Sequence, residues 1–333
     1  MIFAFHRIFI IFAVHPSNET LFMKLLPTFL LWVSMPCLLL AQNDYYTVVA
    51  QKGDGIFSIL RKQGLDPVKY YEDFLTLNTE DIKDGSMLHV GREYKIPQAM
   101  DSFKKTGVRV QMKDETENPI FDKELAEMSL KSKALKNAVY YIVAENQAKS
   151  QNKFIDDVTT GLAAELMVHG ATVYVFDDTD EKPSTENMKS EKTERMGQYI
   201  EAINKRYLQN TGKYQRLLLI RANGLIENGN MDVAVYHHNK SEKGQRFAEN
   251  IQNVFKKHSV SNRSYKDIKM IFEDKNSLYL AKNTLPTVSL LTIGNRSKAS
   301  AEDHIPVRSD KKAFTNWITN GILKDYADIT IEE

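Results

Sequence analysis

The chain has 333 residues, 42% hydrophobic and 26% charged, a balance that excludes wholesale disorder and leaves room for about two domains. Its formal net charge of +1 gives no electrostatic pull toward nucleic acid, so that class of partner is excluded first. The single cysteine, Cys37, cannot close an internal disulfide.

The N-terminal part reads as an address. From Met23 the chain runs through a lysine and an apolar, leucine-rich stretch to Ala41, the pattern of an export signal over 23–41 with cleavage after Ala41. Leu39 departs from the small residue that its position prefers, and an uncleaved membrane anchor is the alternative. Residues 1–22 hold a second apolar stretch, Ile8 to Val14, broken by His15 and Pro16. They form a candidate upstream extension, with either Met1 or Met23 as the start. Ser34-Met35-Pro36 ahead of Cys37 is a poor match to the small-residue pattern of a lipid-attachment cysteine. A chain with this signal is exported, to the periplasm or cell envelope.

Residues 42–98 read as one small unit. Tyr46-Thr47-Val48-Val49 predicts a strand, and Lys52-Gly53-Asp54-Gly55 predicts a turn built from residues that tolerate a positive φ. Ile56, Ile59 and Leu60 then recur at helical spacing, and a second helix is expected from Tyr70 to Leu77, stopping near Asn78. Asp84-Gly85-Ser86 and Val90-Gly91 punctuate a closing strand that ends Tyr94-Lys95-Ile96-Pro97. This βααβ order, with Lys-Gly-Asp at 52–54, Ile-Phe-Ser-Ile at 56–59, Leu-Thr-Leu-Asn at 75–78 and Val-Gly-Arg-Glu-Tyr-Lys-Ile-Pro at 90–97, resembles the LysM domain. The resemblance implies binding of peptidoglycan glycan strands in a shallow groove. On this chain the groove would be lined by Gly53, Asp54, Gly55 and Ile56 and by Asn78, Asp81 and Ile82. Gly55 stands where the family has a threonine, which removes a hydroxyl able to cap the helix or meet the glycan.

Residues 99–135 read as a linker rich in charge, in which Val108 to Met112 alternates apolar and polar and so also suits an extra strand. From 136 to 333 strands alternate with helices. Strands are expected at Val139–Val143, Ala171–Phe176, Leu217–Ile220, Met231–Tyr236 and Val288–Ile293. Helices are expected at Asn152–His169, Met196–Leu208, around Phe247–Phe255 and around Phe314–Leu323. The fold class is therefore α/β, a small βααβ module followed by a mainly parallel, mixed sheet covered by helices on both faces.

The stretch Leu217-Leu218-Leu219-Ile220-Arg221-Ala222-Asn223-Gly224 is the focus of the larger unit. Four aliphatics fit a strand buried on both faces, and Arg221 falls where such a strand meets its loop, the edge at which open α/β sheets build their sites. With Gly170-Ala171-Thr172-Val173, Asp178-Thr179-Asp180, Ser241 to Phe255, Leu285-Pro286-Thr287-Val288 and Arg308-Ser309-Asp310 through Gly321-Ile322 in order around it, the region resembles the zinc-dependent N-acetylmuramoyl-L-alanine amidases of the amidase_3 type.

That resemblance implies a zinc ion held by His, Glu and His with a water in the open position, and a further glutamate acting as acid and base. Carried over position by position, the ligands become Gln147, Asn152 and Arg221, and the glutamate becomes Leu291, or Thr292 if the register slips by one. None of these sets up catalysis, and an arginine keeps its proton and has no lone pair for a metal. Glu145 is set aside, because a slip of one residue along a strand turns a side chain to the other face. His237 and His238 follow a different strand, and the eight histidines show no His-x-x-x-His or His-Glu-x-x-His spacing. The loop carboxylates Asp177, Asp178, Asp180 and Glu181 read as a solvated charged loop.

The expectation is an exported peptidoglycan-binding protein with a catalytically degenerate amidase-fold domain, no cofactor, and muropeptide or an envelope protein as its second partner. The alternative is an active zinc-dependent amidase in peptidoglycan turnover, and a third reading is a purely structural envelope component. Arg221 stands open between two roles, holding a stem-peptide carboxylate or pairing with a local Asp or Glu.

Overall fold

The computed structural model describes residues 44–82, 87–111, 116–145, 153–176, 188–223, 229–261, 263, 270–295 and 304–332. The export signal, Gln147, Asn152 and the carboxylates at 177–181 lie outside these residues. Among the described residues no helix is long and apolar enough to cross a membrane.

The small unit has the expected order. Strand β1 (Tyr45–Val49) pairs antiparallel with β2 (Glu93–Pro97), and α1 (Ile56–Lys62) and α2 (Pro67–Leu77) lie between them in sequence. Asp66 starts α2 by accepting from the Val68 amide, and Pro67 occupies the first helical position, where its missing N–H costs nothing. Ile56, Ile59, Leu60, Phe74, Tyr94 and Ile96 form the core.

Within residues 99–135, expected as a linker with room for an extra strand, two short segments join the larger sheet. A helical turn, α3 (Phe103–Thr106), leads into β3 (Gly107–Val110), and β4 (Glu117–Pro119) closes the sheet edge against it. The alternation at 108–112 was the signal: Val108 and Val110 are buried under a helix, and the strand pairs parallel with a later one. The small unit is tied to this segment where Gly64 carbonyl accepts from the Phe103 amide at 2.9 Å. Gly64 has φ +71, and a Cβ there would lie 3.1 Å from the backbone nitrogens of Phe103 and Lys104, so both conformation and approach call for glycine.

The chain then alternates as expected: β5 (Ala138–Glu145), α4 (Lys153–Val168), β6 (Thr172–Phe176), α5 (Met188–Gln209), β7 (Tyr214–Asn223), β8 (Asn230–His237), α6 (Glu242–Lys257), α7 (Lys275–Asn283), β9 (Thr287–Asn295), β10 (Ile305–Arg308) and α8 (Lys311–Glu332). The sheet runs β10-β8-β9-β7-β5-β6-β3-β4, parallel from β9 to β3 and antiparallel at both edges. Helices α4, α6 and α8 cover one face, on Tyr140, Ile142, Leu218, Ile220 and Leu291; α5 and α7 cover the other, on Tyr141, Val143, Leu217, Leu219 and Leu290. Both faces of the central strands are dry, which is why their sequences are apolar without interruption.

Two helical glycines separate packing from propensity. A Cβ on Gly321 of α8 would sit 2.5 Å from the Cα of Ile251 in α6, whereas nothing lies within 4 Å of the same atom on Gly197 of α5. Gly321→Ala is expected to lower stability by about 1–3 kcal/mol by forcing the two helices apart. Gly197→Ala is expected to raise it by up to about 1 kcal/mol. Urea unfolding of the two variants checks both signs.

Candidate functional site

The chain leaves β5 toward β6 and leaves β7 toward the opposite edge of the sheet, so the C-terminal ends of β5 and β7 flank a crevice of the kind where α/β sheets bind ligands. Glu145 ends β5, and Arg221, two residues before the end of β7, stands opposite it in the parallel register. Both project from the α5–α7 face, because Glu145 keeps step with Tyr141 and Val143, and Arg221 with Leu217 and Leu219. Glu145 therefore faces the site, contrary to the expectation that it turns away.

Arg221 is held on two sides. Its Nε donates to Glu145 Oε2 at 2.6 Å, and its Nη2 lies 3.3 Å from both Asp274 Oδ1 and Ser277 Oγ. Only 11% of the Arg221 side chain and 15% of that of Glu145 are exposed, so the pair is largely withdrawn from water. Burial works against the guanidinium charge, but the Glu145 and Asp274 carboxylates outweigh it and hold the Arg221 pKa above its ordinary value. Burial would likewise raise the Asp274 carboxyl, yet Ser277 and Arg221 hold it below the usual carboxylate range. Glu145 Oε1 is buried and has no hydrogen-bond partner among the described residues.

Asp274 is placed by helix capping. It is the N-cap of α7 and accepts from the Ser277 amide at 3.0 Å. Sequence reasoning missed this helix and both residues, although Asp274-x-x-Ser277 ahead of Leu278 and Leu280 is a helix-start signal. Between α7, β8 and β9 the site opens as a cleft of about 340 Å³, lined by Arg221, Tyr236, Phe272, Asp274 and Thr292 among others.

Leu291 does not belong to this cleft. It is fully buried on the α4–α6–α8 face, while its neighbour Thr292 pairs with Arg221 and lines the cleft. Of the two residues that the resemblance offers for the glutamate, Thr292 is the one on the crevice side. His237 pairs with Ser289 near the start of β9, away from Arg221, and its Nδ1 lies 2.8 Å from the His238 carbonyl. As a test of fit to zinc, Arg221 and Thr292 supply no imidazole or carboxylate, and the two carboxylates on the guanidinium, Glu145 and Asp274, are both spent on Arg221. No group of three His, Cys, Asp or Glu able to hold a metal occurs among the described residues.

In the small unit most of the expected glycan-contact side chains are committed inward. Asp54 accepts from Lys62 Nζ at 2.6 Å, the Gln51 amide at 2.9 Å and Ser58 Oγ at 3.1 Å. Asn78 is buried and bridges α2 to β2, donating to the Phe74 and Lys95 carbonyls and accepting from the Lys95 amide. Ile56 is core, Ile82 packs on the core, and Asp81 pairs with Arg92. Gly53, at φ +91, is exposed, and Gly55 is the N-cap of α1 with no side-chain cap. A glycan at this turn would meet main chain.

Neither a protein-family model nor a curated protein matches the chain. Among solved structures, the chain is similar to the CwlD amidase from Clostridioides difficile in complex with the GerS lipoprotein, at 15% identity over 57% of this chain and 98% of that one, with a TM-score of 0.37. It is similar to the N-acetylmuramyl-L-alanine amidase Ami1 from Mycobacterium smegmatis at 10% identity, 58% and 99% coverage and a TM-score of 0.36. A putative carboxypeptidase A from Shewanella denitrificans is similar at 9% identity, 85% and 89% coverage and a TM-score of 0.38. At these values the chain's own residues have to carry the functional reading.

Two outcomes follow from the ion-pair geometry. Arg221→Ala strands the Glu145 carboxylate and is expected to cost about 3 kcal/mol or more, with much of the loss recovered in Glu145→Gln/Arg221→Met. The double-mutant cycle in denaturant measures this. Because the folded Asp274 carboxyl is depressed, the stability it contributes is present above its ordinary value near 4 and is lost as pH falls through the folded value. Asp274→Asn should therefore flatten the acid limb of the stability–pH curve below about pH 5 and leave its shape at pH 6–8 unchanged.

Proposed function

We propose that the chain is an exported peptidoglycan-binding protein in which the small βααβ unit holds glycan strands and the larger unit is an amidase-like domain without hydrolytic chemistry. The observation that carries this reading is the Arg221 network. At the strand end where the resemblance puts a zinc-binding histidine, a guanidinium is fixed between Glu145 and Asp274. An arginine has no lone pair for a metal and does not release its proton, so at this position the side chain supplies neither a zinc ligand nor a general acid.

What remains is a rigid polar cleft fit for binding. Arg221 already spends Nε and Nη2 internally, which favours the local ion pair over capture of a stem-peptide carboxylate. Two carboxylates surround one guanidinium, and Glu145 Oε1 has no donor among the described residues, so the cleft favours N–H groups of a muropeptide or of an envelope protein.

The experiment uses the whole chain with purified sacculi. Co-sedimentation with the sacculi, reversed by soluble N-acetylglucosamine oligomers, is expected, together with no release of stem peptide with or without added zinc. A chain that stays in the supernatant overturns the glycan reading. Stem-peptide release above background that a chelator abolishes overturns the non-hydrolytic one and establishes the zinc amidase.

A further inference from the structure

Where the small unit meets the sheet domain, a cavity of about 460 Å³ opens beside the C-terminal end of α4. The start of α2 gives it one wall, with Asp66, Val68 and Lys69, and Asp101 stands with them. Leu130, Lys133 and Lys136 come from the other side, and the buried Phe103, Met167 and Ala171 supply an apolar lining. The junction is fixed at several points. Besides the bond from the Phe103 amide to Gly64, Ser102 Oγ donates to the Gln63 carbonyl at 2.9 Å and Lys104 Nζ to Gln63 Oε1 at 3.0 Å. The two walls are thereby held at a set spacing.

The charges of the small-unit wall are matched within the chain. Lys69 Nζ donates to Asp101 Oδ2 at 2.5 Å, and the Tyr70 hydroxyl donates to Asp101 Oδ1. Asp66 Oδ1 caps α2 through the Val68 amide. The opposite wall differs. Among the described residues the Lys133 and Lys136 ammoniums have no hydrogen-bond or ion-pair partner. These lysines open and close one turn, in which the Lys136 amide donates to the Lys133 carbonyl at 3.0 Å, a geometry that keeps the two Cα atoms within about 7 Å. The turn is pinned to the end of α4, with the Lys131 amide on the Val168 carbonyl at 2.7 Å and the Leu135 amide on the His169 carbonyl at 2.9 Å. Two like charges therefore share one side of an apolar hollow. Beside them Val68, 82% exposed, and Leu130, 36% exposed, leave aliphatic surface uncovered.

We propose that this cavity binds the C-terminal end of a peptide, with Lys133 and Lys136 taking the free α-carboxylate and the aliphatic side chain of the last residue lying against Val68, Leu130 and Met167. The occupant follows from the chemistry of the walls. An inorganic anion would use the ammoniums and leave the apolar lining bare. A lipid surface needs apolar side chains on a convex face, whereas these surround a hollow. The volume suits a small ligand, and junctions between units are where such pockets form preferentially. The assignment is independent of the glycan reading of the small unit.

The test titrates the whole chain with N-acetyl-alanyl-leucine and with its C-terminal amide, followed by ligand-observed NMR. The free acid is expected to bind about tenfold more tightly than the amide, because hydrogen bonds to a charged acceptor are the stronger ones. N-acetyl-alanyl-glycine, which keeps the carboxylate and lacks the side chain, is expected to bind roughly tenfold more weakly than the leucine peptide. Lys133→Met/Lys136→Met should erase the preference for the acid, and Lys133→Arg/Lys136→Arg should keep it. Both lysines are exposed, so the thermal midpoint of either variant should match that of the unmodified protein. Equal binding of acid and amide, a preference that survives loss of both lysines, or no binding of either peptide would overturn the proposal. Inorganic phosphate binding as tightly as the free acid would also overturn it, in favour of a simple anion site.

Discussion

The parallel register between β5 and β7 is the constraint on which the rest depends. Eight consecutive pairs, from Ala138↔Tyr214 to Glu145↔Arg221, run through the middle of the sheet. Side chains alternate across a strand, so this one register assigns every residue of both segments to a face. It places Tyr140 beside Arg216 at one end on one face, and Glu145 beside Arg221 at the other end on the opposite face. A slip by one residue would drive both arginines into the wrong helix layer. The dry aliphatics between them, Leu217 to Ile220 against Tyr141 to Ala144, make such a slip costly.

Arg221, near the mouth of the crevice, is neutralised by carboxylates from two separate elements, the end of β5 and the N-cap of α7. Asp274 does double work there, since the oxygen that caps α7 also faces the guanidinium. The crevice is thereby stiffened by ion pairs between elements far apart in the chain. In the small unit the same economy appears. Asp54 and Asn78, placed where the resemblance puts a glycan, tie turn to helix and helix to strand.

Much of the architecture was legible in the chain. Uninterrupted aliphatic runs marked the central strands, helical spacing marked α4, α6 and α8, and the punctuation of Gly, Asp and Pro marked the small unit. These are local signals, carried by neighbours within one or two turns or strand steps. What escaped was short or edge-bound: α7, β4 and β10 have little periodicity to read, and β3 looked like part of a linker because its partner β6 lies more than sixty residues away.

The candidate site divides along the same line. From the sequence alone Arg221 could be put at a strand end and excluded as a metal ligand, because its position follows from the length of an aliphatic run and its chemistry from its side chain. The sequence by itself also determined the α/β class and the βααβ order. It did not determine that Glu145, 76 residues earlier, and Asp274, 53 residues later, would close on that arginine. Nor did it decide that Thr292 rather than Leu291 faces the crevice. Those outcomes depend on strand order and register, which are chosen by how the two layers of helices pack on the sheet, and non-local pairing leaves no local pattern in the chain.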